Sequence, residues 1–273
     1  TSALTVGQTS APVRHPPASA QPAWPRSMRR GMAPAARISS SGTKLQRTPT
    51  TGRSLAAISF SRRGLLIRLS KAIIACGRDP DLRLRGTVEA LAKLRPVFDR
   101  PVGRVTAGNS AQVTDGAAML LLASEEAIER HDLPVLGRIV DSEWAGLDPA
   151  QMGLGPVHAM APLMQRHALD SDDIGVWEIN EAFAAQVIAC TRAWQSHDYC
   201  RTELGLDAAF APIDEQRLNI DGGGISIGHP VGASGARITL HALKAMQREQ
   251  RHTGMASLCI GGGQGVAMAI ERD

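Results

Sequence analysis

Three segments of the chain carry side chains that can do chemistry. The first is Asp221-Gly-Gly-Gly-Ile-Ser-Ile-Gly-His-Pro-Val-Gly-Ala-Ser-Gly-Ala-Arg237, in which glycines surround one imidazole, His229, fixed by Pro230 just ahead of a helical pattern. Glycine lets a backbone turn tightly and lets other groups approach closely. Amides at a helix N-terminus can face an anionic or polar ligand group. A glycine-rich connection with an exposed histidine accounts for the same residues. The second is Cys259-Ile-Gly-Gly-Gly-Gln-Gly265, which puts a thiol at the end of an apolar strand beside free backbone amides. That setting favours a lowered thiol pKa and proton transfer; the alternative is a buried structural cysteine before a hairpin turn. The third is Trp177-Glu-Ile-Asn-Glu-Ala-Phe-Ala184, where a strand becomes a helix. Asn180 there either caps the helix or orients a water or an oxyanion.

Other chemistries are excluded or weakened. No Gly-Lys-Ser/Thr follows the glycine-rich run, so it is not a Walker A loop, and it does not match Gly-x-Gly-x-x-Gly opening a helix after a strand. The four cysteines, at 76, 190, 200 and 259, form no Cys-x-x-Cys pair and no zinc-ligand spacing. They read as reduced thiols of an intracellular protein rather than a disulfide scaffold. Aromatics make up only 3% of the chain, leaving little to stack bases or sugars on. No uninterrupted apolar run approaches the roughly 20 residues that span a bilayer.

The net charge of +4 conceals an asymmetry. Residues 1–78 hold 13 of the 30 basic residues and none of the 26 acidic ones, so the remainder carries 17 basic against 26 acidic residues, a net −9. The bulk of the chain is not a nucleic-acid binder by charge. Residues 1–62 are rich in Ser, Thr, Pro, Ala and Arg without an apolar period, a composition that predicts disorder. Three readings of this basic stretch compete: a mitochondrial-type transit peptide, a basic arm for nucleic acid or membrane, and an unstructured tail or a stretch out of the gene's proper frame. The last is favoured. Residues 64–76 could form a short helix.

Beyond residue 79 the texture is that of a layered α/β domain. A short amphipathic helix spans Thr87–Arg95, stopped by Pro96. Gly103–Ala107 reads as a strand, and Gly116–Ala123 as a buried one. Ser124 is placed to cap a helix with acids in its first turn. Strand Val135–Val140 precedes a helix with Pro156 in its first turn and Val157, Met160, Met164 and His167 at helical spacing. Strand Ile174–Ile179 leads to a helix presenting Phe183, Val187, Cys190 and Trp194. Leu218–Ile220 leads into the glycine-rich loop and a helix over 234–248, and strands 256–260 and 266–270 close the chain.

Each chemical segment is ambiguous alone, but their order and spacing are not. Asn180-Glu-Ala-Phe183, then Gly228-His-Pro-x-Gly-x-Ser-Gly235, then Cys259-x-Gly-Gly-Gly-x-Gly265 resemble the C-terminal half of the thiolase family, the acetyl-CoA C-acyltransferases and 3-ketoacyl-CoA thiolases. Gly153-Leu-Gly-Pro-Val157, Lys93-Leu-Arg-Pro-Val-Phe98 and the run Thr106–Ala117 match as well, and the likeness covers about residues 80–273. The resemblance implies an α/β fold in which two βαβαβαββ halves pack in five α/β/α/β/α layers. Here the C-terminal half, residues 131–273, would be essentially complete. Residues 79–130 would be a remnant of the N-terminal half, most of which is missing, and residues 1–78 a basic non-family segment.

The implied reaction cleaves 3-ketoacyl-CoA with CoA to acetyl-CoA and a shortened acyl-CoA, or runs the reverse condensation, as in fatty acid β-oxidation. By resemblance His229 activates the nucleophilic thiol, and Cys259 exchanges a proton with the acetyl α-carbon or the incoming CoA thiol. Asn180 positions a water that, with His229, stabilises the enolate-like oxygen. The amide of Gly261 helps bind the tetrahedral oxyanion, and Ala182 and Phe183 line the pantetheine channel. The resemblance implies no metal and no cofactor beyond CoA as substrate. It implies acyl-CoA and CoA as partners, with neither nucleic acid nor a membrane span, and homo-oligomers as is usual in the family. The compartment implied is cytoplasmic, with a mitochondrial location as the alternative.

One departure is large. The family's acyl-accepting cysteine stands in a Cys-Ala-Ser-Gly context, and none of the four cysteines does; Cys76 is followed by Gly77, Arg78 and Asp79. The expectation is therefore a chain inactive alone, from a truncated or frame-disrupted gene, with central helices exposed and prone to aggregate. The alternative is a non-catalytic acyl-CoA or lipid-binding module, or a subunit completed by a partner.

Overall fold

The computed structural model describes residues 37–39 and 88–272. Six strands form one mixed sheet: β1 (Arg37–Ser39), β2 (Leu121–Ala123), β3 (Val135–Gly146), β4 (Val176–Ile179), β5 (Thr253–Ile260) and β6 (Gln264–Glu271), in the order β2-β1-β3-β6-β5-β4. Only β4 and β5 run parallel; the other neighbours are antiparallel.

Both faces of the sheet are covered, and β6 shows why. Ala267 and Ala269 join the cluster formed by helix Gly155–Arg166, with Val157, Met160, Leu163 and Met164. Met268 and Ile270 meet the helix Ser234–Arg248 through Ala242, Leu243, Ala245 and Met246. A strand exposes alternate residues to opposite faces, so a period-2 pattern of small and large apolar residues serves two helices of different closeness. Gly265 sets the closest approach: a Cβ there would fall 2.0 Å from the carbonyl oxygen of Gly155.

The helices, in chain order, are α1 (Val88–Ala92), α2 (Glu125–His131), α3 (Gly155–Arg166), α4 (Ala184–Trp194), α5 (His197–Glu203), α6 (Gly224–Ile227) and α7 (Ser234–Arg248). Helix α4 adds Val187, Cys190 and Trp194 to the α3 side. Trp194 is fully buried, stacks on Phe210 at 4.0 Å between centroids, meets Trp177 edge-on at 5.9 Å, and donates its indole N–H to Ser171 Oγ at 2.8 Å. Cys200, in a polar stretch of sequence, is buried on α5.

Most expected elements are present. Ser124 caps α2, accepting from the Ala127 amide at 3.2 Å, with Glu125 and Glu126 in the first turn. The last helix spans 234–248 as its spacing requires. The departures have local causes. Residues 103–107 form no strand; this stretch carries turns, and the Val97 amide bonds the carbonyl of Val105 instead. The apolar run 116–123 contributes only the three residues of β2, and Leu121 and Leu122 are exposed, because a small-apolar run is buried only where a layer covers it. Residues 37–39, inside the stretch expected to be disordered, pair with β2 on one side and β3 on the other, completing both ladders. The expectations for residues 1–36 and 40–87 lie outside the described residues. The large exposed apolar side chains sit on 97–122, on Trp144 and on Ile227 and Val231 rather than on the helices that cover the sheet, contrary to the expected exposure of central helices.

Candidate functional site

The parallel pairing of β4 with β5 places the site. Ile179 is in register with Ser257, and the next residue, Asn180, donates its backbone N–H to the Ser257 carbonyl at 2.9 Å. Asn180 and Cys259 therefore leave the sheet at the same end of neighbouring strands. Helix α4 begins only at Ala184, with Phe183 at the cap position, so Asn180 is not the helix cap. Its side chain is free for another partner.

That partner is His229. Asn180 Nδ2 lies 3.4 Å from His229 Nε2, and His229 Nδ1 lies 2.7 Å from Ser234 Oγ. The Ser234 hydroxyl donates to the Pro230 carbonyl at 3.2 Å, which leaves its oxygen to accept from Nδ1–H. Nε2 is then the bare nitrogen, and the Asn180 amide donates to it. Burial, and then the charge of Arg237, hold the imidazole below its usual pKa, so it is a neutral base at neutral pH. The Asn180 Oδ1 is buried and has no hydrogen-bond partner among the described residues. An acceptor left so costs about 1–3 kcal/mol, and a ligand or water O–H would satisfy it.

The run Thr106–Ala117 clamps both loops, a role that no side-chain pattern announces because it is made by backbone. The Ala111 amide donates to the Ala182 carbonyl and the Ala184 amide to the Asn109 carbonyl, both at 2.9 Å, and Ser110 bridges to Phe183. The His229 amide donates to the Gln112 carbonyl at 3.3 Å. Ala182 and Phe183 are thus half-buried under this run.

The thiol corrects an expectation. Burial pushes Cys259 above the ordinary thiol pKa rather than below it, because its strand-end position is covered. Cys190 on α4 is pushed up to about 12, chiefly by burial, and Cys259 is near enough to add to that shift. The structure thus joins Asn180 to His229, while Cys259 makes no hydrogen bond to either among the described residues. Gly261 is exposed, with open space where a Cβ would be. Among the described residues no three His, Cys, Asp or Glu side chains gather as a metal site, and no helix is long and apolar enough to cross a membrane.

Two buried polar groups beside the site were not anticipated. Glu178, on the otherwise apolar β4, and Glu181, two residues beyond its end, are each 2% exposed or less. Their spacing around Asn180 was the available signal, since a carboxylate inside a covered strand needs partners. Glu178 meets His241 of α7 at 2.8 Å, and Glu181 accepts from Asn219 and from the Ile225 amide.

The site thus gathers a neutral imidazole and a buried carboxamide, with a thiol at the same end of a sheet covered on both faces. Comparison with known proteins names the class. Residues 133–272 match the family model of the thiolase C-terminal domain and residues 67–126 that of the thiolase N-terminal domain. The chain belongs to the thiolase family. It is 46% identical over 195 residues to an acetyl-CoA acetyltransferase of Pseudomonas aeruginosa, covering 71% of this chain and 45% of the relative. It is 43% identical over 194 residues to the 3-ketoacyl-CoA thiolase FadA of Escherichia coli K12, covering 71% and 46%. The crystal structure of human mitochondrial 3-ketoacyl-CoA thiolase superposes with a TM-score of 0.60 at 40% identity, over 68% of this chain and 43% of that one. The chain spans about half the length of the curated relatives it matches.

Proposed function

We propose that this chain carries the imidazole, carboxamide and second thiol of a thiolase-type acyltransferase acting on 3-ketoacyl-CoA and CoA, in either direction. The observation that carries this reading is the Asn180–His229 contact, with a bare Nε2 and an unsatisfied Asn180 Oδ1 beside it. In this reading His229 takes the proton of a nucleophilic thiol, which attacks the 3-keto carbonyl. The bond between C2 and C3 breaks, and Cys259 protonates the departing acetyl-CoA carbanion. The CoA thiol then gives its proton to the Cys259 thiolate and attacks the acyl thioester, releasing the shortened acyl-CoA, while His229 returns its proton to the freed nucleophile. Asn180 holds a water against the thioester oxygen, and the Gly261 amide assists the tetrahedral oxyanion. Ala182 and Phe183 line the channel for the pantetheine arm. The raised thiol of Cys259 suits a group that holds its proton until a carbanion appears.

In this reading the nucleophile is supplied by a Cys-Ala-Ser-Gly-type segment that these 273 residues do not contain. The reading needs no metal or bound cofactor, and a cytoplasmic or mitochondrial location serves it equally. The test is intact-mass analysis after exposure to a 3-ketoacyl-CoA, with this chain alone and with an added thiolase first-half fragment. Acylation and acetyl-CoA release are expected only with the fragment and are lost in His229→Ala. Acylation of this chain alone would overturn the missing nucleophile. CoA binding without cleavage in the completed assembly would mark a binding module and overturn the acyltransferase reading.

A further inference from the structure

Glu181 follows Asn180 directly and is 1% exposed. Its Oε1 accepts from Asn219 Nδ2 at 3.1 Å and its Oε2 from the Ile225 amide at 3.3 Å. Asn219 is itself tied to β4, accepting from the Ile179 amide at 2.9 Å and donating to the Ile179 carbonyl at 2.8 Å. Ile225 begins the stretch that carries His229 four residues later. The carboxylate fills the slot between these parts: a Cβ on Gly223 would lie 2.8 Å from its Cδ, and one on Gly224 would lie 2.8 Å from the Glu181 carbonyl oxygen. The glycines are what let the loop come this close.

We propose that Glu181 is a positioning residue whose ionised carboxylate holds the glycine-rich loop against the Asn180 turn, so that protonating it loosens the Asn180–His229 contact. Two donors converge on this one side chain. A carboxylate accepts from both, whereas a carboxylic acid or a carboxamide turns a donor toward one of them and one bond is lost. The charged groups facing Glu181 are Glu178 on β4 and Arg237 from α7, and His229 is the further titratable group on the loop it holds. Burial pushes Glu181 up to about 7, against its two hydrogen bonds, with Glu178 adding to the rise and Arg237 opposing it. The loosening therefore falls in the neutral range.

The catalytic meaning of this device rests on the function proposed above, but its test needs no turnover. The full chain, labelled with 15N, is titrated across roughly pH 5 to 9, following the Ile225 amide and the His229 ring nitrogens. In the wild type both are expected to share an inflection near 7, the range where Glu181 titrates. Glu181→Gln abolishes this step at the Ile225 amide and leaves the His229 ring only its own, lowered titration, and Glu181→Asp restores the shared step at a displaced midpoint. A merely structural role would leave the His229 ring titration unmoved, so identical His229 curves in wild type and Glu181→Gln overturn the proposal. Should Glu181→Gln not fold, the wild type decides, because an Ile225 amide without an inflection near neutrality overturns it equally. Failure of acyl transfer in the assembled enzyme, with this coupling intact, would overturn the proposed reaction and not the coupling.

Discussion

Asn180 Nδ2 and His229 Nε2 stand 3.4 Å apart although 49 residues separate them in the chain. The contact sets where the imidazole proton lies, because the opposite nitrogen is held by Ser234 at 2.7 Å. The site can therefore be tested one proton, one glycine and one thiol at a time.

Ser234→Ala removes the acceptor that holds the proton on Nδ1. A hydrogen bond of this kind contributes about 1 kcal/mol, which is roughly a fivefold change in an equilibrium. The Nε2–H tautomer of His229 should rise by about that factor at a pH above its titration. Long-range 15N–1H correlation of the ring reads the ratio directly, and an unchanged ratio would show that Ser234 does not set the tautomer.

Gly228→Ala should detach the backbone clamp. Gly228 has φ +91°, where L side chains are strained, and its added Cβ would lie 2.0 Å from Thr114 Oγ1. Strain in such a conformation costs about 1–3 kcal/mol before the clash is counted. The denaturation midpoint should fall, and amide exchange should quicken at Ala111 and Ala184, the donors that join the clamp to the Asn180 loop. Adding Thr114→Gly should recover part of the loss by removing the clashing side chain, leaving the φ strain behind.

How far the site could be read from the sequence depended on what kind of atom makes it. Asn180, His229 and the glycines between 221 and 235 are side-chain signals, and the contact of Asn180 with His229 follows from two loops at the end of one sheet. Helix α7 and strand β6 were legible because their apolar periods of 3.6 and 2 are driven by burial on the faces they cover. The clamp of residues 106–117 was not, because backbone amides and carbonyls carry no residue code. The raised thiol of Cys259 is not legible, because a strand end in sequence says nothing of the layer that covers it. The role of Glu181 is hidden in the sequence, since its two donors, Asn219 and Ile225, lie about 40 residues further along the chain.

Cys259 should alkylate slowly in the folded chain at neutral pH. The thiolate is the reactive form, and burial both raises the thiol pKa and covers the sulfur, which belongs to a residue only 5% exposed. Iodoacetamide labelling followed by peptide mass analysis should give slower modification of Cys259 in the native chain than in the same chain in denaturant. Equal rates would mean that the strand end opens freely to solvent.

Folding stability should decline as pH rises from the acid side through neutrality, and His241 is the group to remove to see it. Its Nδ1 meets Glu178 Oε1 at 2.8 Å and its Nε2 meets Asp221 Oδ2 at 2.9 Å, so both nitrogens face carboxylates. Burial alone would lower its pKa, but the bonds and charges of Asp221 and Glu178 overcome this and raise it from 6.5 to about 9. A histidine raised in the folded state contributes stability that is complete below its unfolded pKa and lost as pH rises through the folded one. Glu181, raised from 4.5 to about 7, has the same sign over its own lower window, whereas the lowered His229 and His158 work against both. Asp221, lowered to about 2 by its bond to His241 against burial and with help from Arg248, contributes stability that is lost only as pH falls through that value. Between pH 7 and pH 9 His241 is the group that loses its proton, with a contribution of at most about 3 kcal/mol, and the buried thiols, raised above their ordinary pKa, add the same sign at higher pH. Urea midpoints should fall between pH 7 and pH 9 in the wild type, the window set by its raised pKa. The decline should flatten in His241→Gln, which has no titrating proton to lose. A decline as steep in that variant would place the released proton elsewhere.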